Sequence, residues 1–198
     1  MSSALFIIDV QNDFTEGGVL GVTGGCVVAA GITRLLAEHP ESYDHVFASR
    51  DWHDGDNDTG GHFSESPDFV DSWPVHCVAG STGAEYHAAL DLGPSVLHVR
   101  KGRGMPSYSI FEGTTGSGEV VQDALLRLGV ITIDVVGLAT DHCVLASALD
   151  ALGAGFTVRV LTDLVAGVAP ESSAAALERL ASAGATVTSS TSRGLRDR

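Results

Sequence analysis

The sequence predicts an α/β fold: a three-layer sandwich whose six-stranded, mostly parallel sheet carries helices on both faces. Short β-branched and apolar runs alternate with Ala/Leu-rich stretches of helical period, the signature of βαβ units. With 198 residues, 44% hydrophobic residues and 24 glycines spread along the chain, the sequence predicts one globular domain over residues 1–198. No internal repeat, low-complexity tract or linker divides it.

Taken in order, the predicted strands are "ALFIIDV", "HVFAS", "SVLHVR", "ITIDVVGL", "TVRVL" and a weaker "ATVTS". Helical period is expected over 25–38, 119–128, 141–152 and 171–183. The last is marked by Pro170 in its first turn and Gly184 near its end. Residues 51–83, rich in Gly, Asp, Ser and Pro, have no such period, and a loop of that length in a compact domain points to function.

Eleven basic against 25 acidic residues give a net charge of −14, which excludes nucleic acid and anionic membrane surfaces as partners. The segment "MSSALFIIDVQNDF" predicts neither a signal peptide nor a membrane span, because it lacks a basic region and Asp9 interrupts its apolar run. Cys26, Cys77 and Cys143 are odd in number and form no CxxC pair, so a reducing cytoplasm is expected. A monomer or homodimer acting on a small molecule fits these totals.

Ligands of open parallel sheets bind beyond the carboxyl ends of the strands. Those ends deliver Asp9, then Asp51 and His53, then Lys101, then Cys143 in the first turn of the following helix. A helix start stabilises a thiolate and exposes amides able to hold an oxyanion, so Cys143 is expected to be a nucleophile of lowered pKa. Asp9 in a buried strand needs a partner, and Lys101 supplies one. Arg100 and Arg103 are rival cations assigned to the surface.

Asp51 and His53 lie two apart and share one side of an extended segment; His62 and His76 follow in the loop. One carboxylate with three imidazoles suits a divalent metal ion (Zn, Fe or Mn, with Zn favoured). Asp54, Asp56 and Asp58 are rival ligands, as is Cys77, although an extended backbone would turn it away from His76. His39, His45, His87 and His98 are read as structural.

In this order, "DVQNDF", "DWH", "GGHFS", "WPVHC", "KG...YS.FEG" and "GLATDHCV" resemble the nicotinamidases (pyrazinamidases) of the isochorismatase-like cysteine hydrolases, from about residue 4 to about residue 190. The resemblance implies an Asp9–Lys101–Cys143 triad, a divalent metal on Asp51, His53, His62 and His76, and a cis peptide before Ala139. It also implies an oxyanion hole from the amides of Ala139 and Cys143, and a ring pocket of Phe14, Trp73, Tyr108 and His142. The segment "DGDNDTGG" between His53 and His62 is longer than in some relatives, which keeps the three aspartates open as ligands. Gly104, Met105 and Pro106 fall in a variable segment expected to shape the pocket rim. The implied reaction is hydrolysis of nicotinamide, and of pyrazinamide, through a cysteine thioester. The rivals are another amidohydrolase of this fold, acting on a different carboxamide or a carbamoyl group, and a non-catalytic ligand-binding homologue.

Overall fold

The computed structural model describes residues 2–192. Its strands are β1 (Ser2–Ile8), β2 (His45–Asp51), β3 (Val96–Lys101), β4 (Thr114–Thr115), β5 (Val130–Leu138), β6 (Thr157–Ala166) and β7 (Thr186–Thr188). They form one sheet in the order β4-β3-β2-β1-β5-β6-β7, parallel except for the β3–β4 pair. The sheet therefore has seven strands among the described residues, not the expected six. The addition is a two-residue "TT" edge strand, too short to leave an apolar run in the sequence. β6 also runs beyond the expected "TVRVL", because Thr162 and Asp163 interrupt its apolar pattern without ending its pairing.

The helices α1 (Gly25–Glu38), α2 (Val121–Arg127), α3 (Leu145–Gly153) and α4 (Pro170–Ser182) match the expected segments closely. The exception is the start of the third, where Thr140–Val144 form a wide π-type turn before α3 begins. Both faces of the sheet are covered, which is why its strands are apolar throughout. Phe6, Phe47 and Ile133 pack toward Leu125 of α2, Ala148 of α3 and Leu180 of α4. On the opposite face Leu5, Ile7 and Val136 pack against Ala29 and Ile32 of α1. Among the described residues no helix is long and apolar enough to cross a membrane.

From β1 the chain builds outward through β2 and β3, then returns to place β5, β6 and β7 on the other side. The topological switch point lies between β1 and β5, where open α/β sheets form their ligand crevice. The two strands approach closely there. A Cβ on Gly137 would stand 2.1 Å from the Ile8 carbonyl oxygen, and this glycine has φ +113°. Asp9 and the Ala139–Cys143 segment emerge at this point.

Candidate active site

Asp9 follows β1 with φ +47°, a conformation that non-glycine residues seldom adopt outside functional sites. Ser49 holds it twice: the Asp9 N–H donates to Ser49 Oγ at 3.3 Å, and the Ser49 hydroxyl donates to Asp9 Oδ1 at 2.7 Å. Lys101 ends β3, in register with Asp51 at the end of β2. Its ammonium lies 2.9 Å from Asp9 Oδ2, donates to the Ser107 carbonyl at 3.1 Å and to Asp51 Oδ1, and approaches Cys143 Sγ at 3.7 Å. The structure thus brings Asp9, Lys101 and Cys143 together, all buried.

Cys143 sits inside the π-type turn rather than in a regular first helical turn, a local departure common at functional sites. His142 N–H and Val144 N–H both donate to the Ala139 carbonyl, at 3.0 and 3.1 Å. The Leu138–Ala139 peptide is cis.

The electrostatics correct one expectation. Burial pushes the Cys143 thiol well above its ordinary pKa; Lys101 opposes this, while Asp9 and Asp51 add to it. The helix-start argument omitted this burial and the two flanking carboxylates. Burial also raises Asp9, against the pull of Lys101. For Asp51 burial works against the charge, but Lys101 and then His53 and His76 outweigh it and hold the carboxylate well below the usual range. For Lys101, likewise, Asp51 and Asp9 outweigh burial and hold the ammonium well above its ordinary value.

Beside this cluster, ring nitrogens of His53, His62 and His76 lie within 4.8 Å of one another, all three residues buried. His53 Nδ1 is 2.7 Å from the Gly102 carbonyl, and His76 Nδ1 is 2.8 Å from the Pro74 carbonyl. A carbonyl only accepts, so both Nδ1 atoms carry a proton and donate it there, which turns both Nε2 atoms toward Asp51. These Nε2 atoms lie 3.5 and 3.8 Å from Asp51 Oδ2. Burial, with His76 and His53 nearby, lowers His62 to about 4, so its imidazole is neutral near pH 7. His53 Nε2 and His62 Nδ1 are buried without a hydrogen-bond partner. Three imidazoles converging beside a carboxylate, with buried ring nitrogens left unpartnered, are a donor set that a divalent cation satisfies. Asp51 therefore has two faces: Oδ1 toward Lys101 and Oδ2 toward the histidines.

The rival ligands separate from this centre. Asp56 and Asp58 are exposed and Asp54 is half-buried, and none joins the histidine cluster. Cys77 is buried among Trp52 and Ala84, in a left-handed rather than extended backbone. Arg100 stacks on Trp52 at 4.4 Å and Arg103 is exposed, so both lie outside the cluster. His87 and His98 contact Cys26 and Tyr86 instead, and His39 and His45 also lie outside the metal cluster.

A cavity of about 350 Å³ opens onto Cys143, Asp51, His62 and His76. Phe14, Trp73, Tyr108 and His142 all line it, as expected. The Trp73 indole N–H donates to Tyr108 Oη at 3.0 Å, and the His142 ring meets Trp73 edge-on at 5.1 Å. Sequence reasoning did not single out Val19, Leu20, Val22, Phe69 and Val168, which also line the cavity, whereas Gly104, Met105 and Pro106 do not. It also missed Gln11, whose side-chain amide donates to the Asp51 carbonyl at 2.9 Å and accepts from the Asp51 N–H at 2.8 Å. Asp13 was missed as well, although its Oδ2 accepts from the Cys77 N–H at 2.7 Å. The available signal was the polar "QND" directly after a buried strand.

The chain is 47% identical to a nicotinamidase/pyrazinamidase of Mycobacterium tuberculosis over 180 residues, covering 91% of this chain and 95% of that one. It is 36% identical to a nicotinamidase of Escherichia coli, covering 93% of each. Among solved structures, the pyrazinamidase of Pyrococcus horikoshii in complex with zinc superposes with a TM-score of 0.83 at 34% identity, covering 96% of this chain and 99% of the other. PnC1 of L. infantum in complex with nicotinate gives 0.82 at 33%, covering 96% and 93%. The isochorismatase domain model matches residues 3–192, and the chain belongs to the isochorismatase family.

Proposed function

We propose that the protein is an amide hydrolase that converts nicotinamide to nicotinate and ammonia through a thioester on Cys143, and that it accepts pyrazinamide as well. One observation carries this reading: the Asp9–Lys101–Cys143 cluster and the His53–His62–His76 donor set meet at Asp51, on the floor of a single aromatic-lined cavity. Relatives named as nicotinamidases that match nearly the whole chain support it.

Asp51, His53, His62 and His76 would hold a divalent cation, zinc being favoured by the imidazole-rich set. Bound there, it would supply a positive charge beside the ring pocket. Phe14, Trp73, Tyr108 and His142 flank the ring and exclude water. Asp9 adds to the upward push on the Cys143 thiol and is the proton acceptor in this reading. The resting nucleophile is therefore a thiol, and the thiolate forms as attack begins.

Sγ bonds to the carboxamide carbon while Asp9 takes the thiol proton and the carbonyl π-electrons move onto oxygen. The amides of Ala139 and Cys143 stabilise that oxyanion. Collapse re-forms the carbonyl and expels ammonia, which receives the proton from Asp9. Water then attacks the thioester, giving its proton to Asp9, and release of nicotinate returns that proton to sulfur. Lys101 stays cationic throughout and fixes Asp9 against the sulfur. A raised carboxyl pKa makes Asp9 a stronger base for this exchange than an exposed aspartate.

Ammonia release from nicotinamide, measured beside the metal content of the purified protein, tests the reading. We expect turnover with about one metal per chain, and chelation that removes the metal should suppress it. Full turnover by metal-free protein would exclude a role for the cation, and no ammonia from the metal-loaded protein would overturn the substrate assignment.

A further inference from the structure

We propose that Val19, Phe69 and Val168 form an outer apolar subsite, which takes an alkyl substituent on the ring of an aromatic carboxamide. The inference rests on the amidase reading for the inner half of the cavity and extends it to the class of substrate admitted.

Single exposed apolar residues are ordinary, but here three converge on one opening. Val19, Phe69 and Val168 are 55%, 58% and 57% exposed, and all three line the cavity that leads to Cys143. A pyridine carboxamide has nine non-hydrogen atoms and, since bonded atoms each take less than the roughly 30 Å³ liquid share of one water, fills well under about 270 Å³. The cavity is about 350 Å³, so its mouth remains open above such a ring.

Two carboxylates hydrogen-bond the backbone that carries Phe69 and Val168. Phe69 has φ +59°, an unfavourable conformation for an aromatic residue. It is imposed by Asp68, whose Oδ1 accepts from the N–H groups of Val70, Asp71 and Ser72 at 3.0, 3.0 and 2.9 Å and from the Ser72 hydroxyl at 2.9 Å. The Phe69 N–H donates to the Ser72 carbonyl at 3.1 Å, and its ring meets Trp73 edge-on at 6.1 Å. On the opposite wall Asp141, beside His142, accepts from the Val168 N–H at 3.0 Å and from the Ala169 N–H at 3.3 Å. The Ser172 hydroxyl donates to the same carboxylate at 2.5 Å. An apolar rim bordering an aromatic slot gains by covering a hydrocarbon group that would otherwise face water.

The test is calorimetric binding to metal-loaded Cys143→Ala protein, which cannot turn substrate over. The probes are nicotinamide and nicotinamides carrying methyl, ethyl or propyl on each free ring carbon in turn. At one ring position affinity should rise two- to fourfold per added carbon, the upper figure corresponding to full burial of a CH₂. Adding Phe69→Ala should erase that gain, whereas Phe69→Tyr should keep it. Asp68→Ala should reduce the gain and Asp68→Asn, which retains the accepting oxygen, should restore it; a merely structural Asp68 would change affinity for parent and alkyl amides alike.

The proposal is overturned if no ring position gains, if the gain survives Phe69→Ala, or if alkyl amides bind worse than the parent and improve in Phe69→Ala, which would make the rim a barrier. Failure to bind any of these amides overturns it too. Ammonia release by the unsubstituted protein reports separately on the amidase reading: an alkyl gain without turnover leaves the subsite standing and removes that reading.

Discussion

Asp9, Lys101 and the Ala139–Val144 turn stand at the ends of paired strands, whereas His62 and His76 are carried by the irregular stretch after β2. The strand-end groups inherit their positions from the sheet: the Asp51–Lys101 register and the close β1–β5 approach leave them little freedom. The loop groups depend on individual hydrogen bonds. Gln11 grips Asp51, Asp13 grips the Cys77 N–H, and Thr59, Phe69 and Cys77 all adopt positive φ. Cys143 is thus placed by cooperative secondary structure and the histidines by local contacts, so the two halves should fail differently when perturbed.

The largest effect should come from the strand-end half. Cys143→Ala removes the proposed nucleophile and should lower kcat on the order of 10⁴-fold or more. Metal content should stay at the level of the unsubstituted protein, since Cys143 is outside the histidine set. Simultaneous loss of metal would mean that the two halves are not separable. Asp9→Asn should cost about 10²- to 10⁴-fold in kcat, the range of a lost general base. A residue that merely capped the turn would cost melting temperature instead, so paired rate and thermal measurements decide between these roles.

Gly102→Ala probes the loop half. A Cβ there would lie 2.5 Å from His53 Cε1 at a residue with φ +84°, so the imidazole must move off its carbonyl anchor. Metal affinity should fall about 10- to 100-fold, the usual cost of disturbing a group that orients a metal-ligating histidine. Excess metal should restore most of kcat if the strand-end cluster is untouched. Failure of that rescue would show that His53 and Lys101 are coupled more tightly than their separate anchors imply.

These contrasts also explain what was legible in the sequence. Strands, helices and strand-end residues follow from apolar runs and their breaks, signals local to each element. The convergence of Asp9, Lys101 and Cys143 is therefore legible from strand ends, and that of the histidines from residue type. The two-faced role of Asp51 was not, because it depends on its register with Lys101 and on histidines from a loop without period. The direction of the Cys143 shift was missed for a related reason: burial is a property of the whole fold, while the helix-start argument uses only neighbours in sequence. Phe69 and Val168 were passed over because exposed apolar residues on loops carry no periodic signal, and only the cavity reveals them.

The smallest predicted effect is the most discriminating for the strand-end half. Ser49 is fully buried and donates to Asp9 Oδ1, a bond that favours the carboxylate and so opposes the upward push of burial. Ser49→Ala deletes that donor without touching Lys101 or the sulfur. The Asp9 pKa should then rise further, and since the base must be ionised to accept the thiol proton, the acid limb of kcat/KM should move to higher pH. At the pH plateau the loss should be about tenfold or less, the worth of one hydrogen bond to a charged group near the lower end of its range. The displacement of the limb matters more than the size of the loss: an unmoved limb with a reduced plateau would mean that Ser49 only fills space, and that the acid limb belongs to a group other than Asp9.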